Sequence, residues 1–119
     1  MSNPMISLSL ASEVKLVVYV PETHKEAVKS ALFAAGAGGQ GAYNMCAFEV
    51  LGEGQFRPHS AAKPHIGEAN RLSHVAEYRI EMLVPLARLE QVVTALRATH
   101  PYEEPAFDIV PRLDPTISS

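Results

Sequence analysis

Side chains that could do chemistry gather most densely in His100-Pro101-Tyr102-Glu103-Glu104-Pro105. An imidazole, a phenol and two adjacent carboxylates are the groups of acid–base catalysis, or of a metal held by nitrogen and oxygen. Each proline pushes the residue before it out of the α region, so a helix must end near His100 and Glu104 must be extended. Neighbours on an extended chain point to opposite sides, so Glu103 and Glu104 do not converge on one substrate atom. The stretch therefore reads as a rigid acidic corner. One carboxylate accepts backbone or arginine hydrogen bonds at a subunit boundary, and the other faces solvent. Tyr102 packs its ring and uses its hydroxyl on a neighbour. His100, in the last turn of a helix, also complements the helix dipole.

Other groups widen the choice. Cys46, His59, His65, His74, His100, Glu103 and Glu104 are ligand types for copper or zinc, yet no CxxC, HxH or HExxH spacing marks a compact site. His59 and His65 share a loop, and with His100 and Glu103 they form the candidate set for a divalent cation. The alternative is ordinary polar loop residues. Arg57, His59, Lys63 and His65 would equally suit a phosphate or nucleotide. The segment Gly36-Ala37-Gly38-Gly39-Gln40-Gly41 matches GxGxxG but follows a helix instead of a strand, which points to helix termination and a wide turn. A nest of backbone N–H groups that holds an anion is the rival reading. Cys46 alternates with Phe48 and Val50 and behaves as a small hydrophobe with no evident base, so catalysis is not expected. Tyr43 and Cys46 join His100, Tyr102, Glu103 and Glu104 as candidate ligand or interface residues.

The elements that position these groups follow from hydrophobic period. A weakly ordered arm, 1–12, precedes a strand at 13–20 that is apolar on both faces, with Leu16, Val18 and Val20 opposite Val17 and Tyr19. Thr23 and Glu26 form a capping box for a helix to Ala35, with Ala27, Val28, Ala31, Leu32 and Ala35 as its buried stripe. Tyr43 to Phe56 is the second strand, and 57–68, with Pro58, Pro64 and Gly67, is an irregular loop. The third strand, Leu72 to Val84, puts Ala76, Tyr78, Ile80, Met82 and Val84 on one face and Glu77, Arg79 and Glu81 on the other. Leu86, Leu89, Val93 and Leu96 mark a second helix. A short strand, Phe107 to Pro111, closes a single domain of residues 13–112, and 113–119 is a fraying tail.

The order βαββαβ is the ferredoxin-like split arrangement, an α+β fold with one antiparallel four-stranded sheet and two helices on one face. The uncovered face then exposes apolar residues of the first strand, which an oligomer would bury. The charged outer face of the third strand pulls the other way. A length of 119 residues fits one domain. Scattered basic residues and a formal charge of −3 argue against nucleic acid. The N-terminus lacks a signal-peptide pattern, no stretch is long and apolar enough for a bilayer, and a single cysteine suits a reducing compartment, so a cytoplasmic location is expected.

The wording of AGAGGQGAYNMCAFEVLGEGQFRP, KPHIGE, AEYRIE and HPYEEPAFDI resembles the PII/CutA-like proteins over Val14 to Arg112. It is most similar to the small module of the NGG-interacting-factor-three family, here in stand-alone form. The resemblance implies a tight homotrimer with sheets facing inward and clefts between subunits. It also implies that the flanking domains that carry a dimetal centre are missing, so no enzyme is expected. CutA proteins share a His-Pro-Tyr-Glu-Val-Pro corner and are linked to divalent-cation tolerance; Glu104 stands where they have valine. The implied function is a non-enzymatic trimer that binds a small ligand, an ion or a protein partner at its clefts. The alternative is a copper- or zinc-binding tolerance protein.

Overall fold

The computed structural model describes residues 5–118. Its elements are β1 (Met5–Pro21), α1 (Glu22–Ala35), β2 (Phe48–Phe56), β3 (Ser73–Pro85), a 3-10 turn (Leu86–Arg88), α2 (Leu89–Thr99) and β4 (Phe107–Ser118). All strand pairings are antiparallel, in the order β2-β3-β1-β4. This is the ferredoxin-like α+β fold.

The core lies on one face of the sheet. Leu16, Val18 and Val20 of β1 pack with Ile80, Met82 and Val84 of β3 beneath Val28 and Leu32 of α1 and Val92 and Leu96 of α2. In each strand these residues are two apart, as a single sheet face requires. On α2 the buried residue is Val92, whereas the expected Val93 is only half-buried, a rotation of one position around the helix. The Thr23 capping box is absent. β1 runs directly into α1 through Pro21, whose extended backbone (φ −66°, ψ 152°) sets the turn, and Thr23 bonds to His24 Nδ1 instead. Glu22 in the first turn suits the positive end of the helix dipole.

The opposite face carries no helix, yet Val17 is only 2% exposed there. Charged side chains roof it. Glu81 takes Lys15 at 3.3 Å and Arg79 at 3.7 Å, and Arg79 also donates to the Tyr19 hydroxyl at 2.9 Å. Long side chains cover apolar surface with their stems in this way. The charged outer face of β3 and the apolar outer face of β1 are thus two halves of one arrangement.

The expected terminal arm and tail are corrected where they are described. Residues 5–12 belong to β1 and 113–118 to β4, and Met5 pairs with Ser118 through Leu10 with Leu113. Alternating Leu and Ser over 7–10 is a strand pattern, and Pro111 and Pro115 are tolerated because β4 lies at the sheet edge. Residues 1–4 and 119 of the expected arm and tail lie outside the described residues. β2 begins at Phe48 instead of Tyr43, which forms an isolated bridge with Gln40.

Gly36 ends α1 in the left-handed region (φ 116°), and the Ala37 amide closes back on Leu32. Gly38 then links the turn to the sheet, donating to Leu83 at 2.8 Å and accepting from Cys46 at 2.8 Å. Its φ is +90°, and a Cβ there would meet the Phe33 ring at 2.7 Å. Gly38→Ala should therefore cost about 1–3 kcal/mol, the range for a non-glycine residue forced into such a conformation. The urea midpoint should fall with an unchanged m-value, and an unchanged midpoint would refute the assignment.

Candidate functional site

His100 closes α2 and is 6% exposed. Its Nε2–H donates to the Tyr19 carbonyl at 2.6 Å, and its Nδ1 accepts the Tyr102 amide at 3.1 Å. A carbonyl can only accept and an amide can only donate, so the partners assign a neutral ring protonated on Nε2. Burial holds its pKa below the ordinary histidine value, against the pull of the Tyr19 carbonyl, and His24 and His65 push it the same way as burial. The imidazole is a strut. It ties the end of β1 to the acidic corner.

The corner forms one wall of a cavity of about 320 Å³, and the loop 57–68 forms the other. The Lys63 amide donates to Glu103 Oε2 at 2.6 Å, which fastens loop to corner. Tyr102 lies among His100, Phe56 and His65, with ring centroids 4.9, 6.1 and 6.3 Å away. Its hydroxyl is buried and has no hydrogen-bond partner among the described residues. Burial, and then the charge of Glu77, push the phenol pKa up. Burial likewise raises the Glu77 carboxyl. The Glu77 side chain lies across Gly54, where any Cβ would collide with the carboxylate. Arg57, His59, His65 and Glu104 complete the polar lining.

The structure thus brings His59, His65, Tyr102, Glu103 and Glu104 to one cavity and sets His100 behind them with both ring nitrogens engaged. It does not bring Tyr43 and Cys46 there. Tyr43 is 76% exposed, and Cys46 lines a second, more open cavity of about 490 Å³ with Lys15, Gly39, Phe48, Glu81 and Arg112. His74 lies on β3, 3.5 Å from Glu53. Among the described residues no group of three or more His, Cys, Asp or Glu side chains is gathered to hold a metal ion. Sequence reasoning missed three neighbours of the site. Glu77 was readable only as an outer-face residue, Phe56 only as a strand end, and His24 gave no signal of its contact with His65 at 5.5 Å.

No family model matches the chain. It is 47% identical over 105 residues to "GTP cyclohydrolase 1 type 2 homolog" of Mycobacterium bovis, covering 88% of this chain and 28% of that protein. The same description belongs to a Bacillus subtilis protein, 47% identical over 97 residues, with 82% of this chain and 26% of that one covered. This chain therefore spans about a quarter of the length of those relatives. Among solved structures, a Bacillus cereus protein related to NIF3 superposes with a TM-score of 0.73 and 39% identity, over 87% of this chain and 26% of that one. CutA from Synechococcus elongatus gives a TM-score of 0.56 at 15% identity, over 92% of this chain and 85% of its own, which is a likeness of fold.

The two perturbed groups set opposite pH responses. His100 has a folded pKa below its unfolded value near 6.5, so its contribution is complete above about pH 6.5 and is lost as the pH falls toward the folded pKa. His100→Gln should cost about 1–3 kcal/mol at pH 7.5, as for a broken buried hydrogen-bond pair, and should flatten the loss of melting temperature between about pH 7 and 5. Glu77 has a folded pKa above its unfolded value, so its ionised form opposes folding at neutral pH, and the penalty vanishes as the pH falls below about 4.5. Glu77→Gln should melt slightly higher than the parent at pH 7.5, a small gain because solvent screens the half-exposed carboxylate, and should coincide with the parent near pH 4. Thermal melts across pH would refute either assignment if the slopes were unchanged.

Proposed function

This chain belongs to the NIF3 family as its PII/CutA-like module, and we propose that it acts as a homotrimeric module that binds a small polar ligand at the corner cavity without catalysing a reaction. The buried, unpartnered Tyr102 hydroxyl carries this reading. An unsatisfied buried hydroxyl costs free energy unless something bonds it, and here it borders an open cavity beside a carboxyl that burial also disfavours. A ligand that bonds both groups would relieve both. Arg57, His59 and His65 on the facing loop would take an anionic end, and Glu77, Glu103 and Glu104 a donor. The absence of catalysis is supported by the separation of the nucleophile from a base. Cys46 lines the other cavity, whose lining includes no histidine.

Assembly into a trimer is supported by the family likeness and by Phe48 and Val50 of β2 and Val110 of β4. These are 67%, 49% and 43% exposed on the face without helices. Phe48 and Val50 lie on one edge strand and Val110 on the other, flanking the charged side chains between them, and exposed apolar side chains on a bare sheet face are covered most simply by further copies.

A panel of melts tests the site. The probes are inorganic phosphate, ATP, GTP, zinc and copper, on parent, Tyr102→Phe and His65→Ala. One of the non-metal probes should raise the melting temperature of the parent by several degrees, about 3 kcal/mol at a hundredfold excess over Kd, and should have much less effect on Tyr102→Phe. A shift with zinc or copper alone, lost in His65→Ala and kept in Tyr102→Phe, would instead favour the divalent-cation reading built on His59, His65 and Glu103. No shift with any probe, together with a monomer by light scattering, would overturn the proposal.

A further inference from the structure

The corner cavity is unevenly charged. Its lining holds three carboxylates, Glu77, Glu103 and Glu104, against one fixed cation, Arg57, with His59 and His65 counted as neutral. Among the described residues none of these three carboxylates has a lysine, arginine or histidine within ion-pair distance. Glu103 takes the Lys63 amide on one of its two oxygens. Elsewhere on the sheet the reverse holds, where Glu49 has two lysines and Glu81 a lysine and an arginine.

The rest of the lining suits the same kind of guest. The rings of Phe56 and Tyr102 stand 6.1 Å apart, tilted by 52°, and an aromatic face attracts a cation through its quadrupole. The buried Tyr102 hydroxyl has no partner among the described residues, and a hydroxyl accepts a hydrogen bond as readily as it donates one. We propose that the donor end of the ligand is a protonated amine, seated among Glu77, Glu104 and the Tyr102 hydroxyl, with any anionic group of the ligand turned toward Arg57. This names the chemistry of the cavity ligand and rests on the cavity being its site.

An alkylammonium carries three N–H donors, and these three groups are acceptors for them. A neutral donor, such as a hydroxyl or an amide, would satisfy the hydrogen bonds but leave the carboxylates without a counter-charge in a closed cavity. A metal ion asks for several converging ligands, and among the described residues no group of three or more His, Cys, Asp or Glu side chains is gathered. Burial raises the Glu77 carboxyl, and a cation beside it would favour its ionised form again. Gly54 decides where that carboxylate lies. A Cβ at Gly54 would meet the far end of the Glu77 side chain, so even alanine pushes the carboxylate aside while the charge of the protein stays the same.

Isothermal titration calorimetry at pH 7.5 tests the amine with two matched pairs, putrescine against butanediol and O-phosphoethanolamine against ethyl phosphate. On the parent, the amine of at least one pair should bind about tenfold tighter than its partner, the scale of one charged hydrogen bond. Glu77→Gln should erase that preference, and so should Gly54→Ala, which displaces the charge without removing it. Glu90→Gln, which removes an equal charge from the exposed first turn of α2, should keep it. No preference for the amine, a preference that survives either cavity variant, or one lost equally in Glu90→Gln would overturn the proposal. Should Gly54→Ala fail to fold by circular dichroism, Glu77→Gln decides alone, since it is expected to melt no lower than the parent. Equal binding of O-phosphoethanolamine and ethyl phosphate, lost in Tyr102→Phe, would sink the amine and leave the cavity as a binding site. No binding of any of the four compounds would also sink the amine, and the cavity falls with it if the phosphate and nucleotide melts are silent too.

Discussion

Two helices can cover one face of a four-stranded sheet, and the bare second face is the constraint from which most of this structure follows. β1 sits between β3 and β4 and is apolar on both sides, so it cannot leave its outer side to water. Within the single chain the solution is electrostatic carpentry, with Lys15, Glu81 and Arg79 laid over Val17. Each of these partly exposed pairs contributes little on its own, about 0–1 kcal/mol. Their larger effect is to keep water from the valine. The same logic operates on the other side of the edge strand, where Lys25 and Lys29 of α1 reach Glu49 of β2 at 2.6 and 2.5 Å. The lysine hydrogen bonds hold the Glu49 carboxyl below its ordinary pKa, and β2 is fastened to the helix layer without a large apolar contact.

The corner depends on the same strand. Near the end of β1, just past its last pairing with β4 at Val18, the Tyr19 carbonyl accepts a hydrogen bond from His100. Because the ring donates on one side and accepts on the other, the position of the corner is tied to the sheet to within hydrogen-bond tolerance. Prolines on both sides of Tyr102-Glu103-Glu104 then remove most of the remaining backbone freedom. A cavity wall built this way is preorganised, which would lower the ordering cost for the ligand we propose.

What could be read in advance divides along physical lines. The strict alternation from Tyr78 to Val84 and the prolines around the corner are local signals, and both strand and corner stand where those signals place them. The outer ends of β1 and β4 were misread because Ile6, Leu8 and Leu10 alternate with serines at a chain terminus, where polar residues resemble a loose arm, and because Pro111 and Pro115 look like strand breakers unless the strand is known to be an edge. The cavity was half legible. His59, His65 and the corner share it, but Glu77 reaches it from β3 only because Gly54, on a different strand, has no side chain in the way. That depends on register between β2 and β3, which no short window of sequence encodes. Tyr43 and Cys46 went elsewhere because the glycine turn carries them to the opposite end of β3, by way of Gly38 and Leu83.

Where a fold breaks its own rules is informative about function. Elsewhere among the described residues the buried and half-buried charged or polar side chains are matched: His100 has two partners, Glu49 two lysines and Glu81 two cations. At the cavity the matching stops. A phenol hydroxyl is buried unbonded and a carboxyl is desolvated, side by side, on a wall that is otherwise rigid. Replacing Gly54 would evict the Glu77 carboxylate, so a glycine in a strand interior, itself unfavourable, serves to keep that carboxyl where it is least comfortable. Two departures from good packing that depend on each other are hard to read as accident, since either alone could be relieved by one substitution. Stability withheld at one place and supplied everywhere around it is the expected mark of a site that a ligand completes.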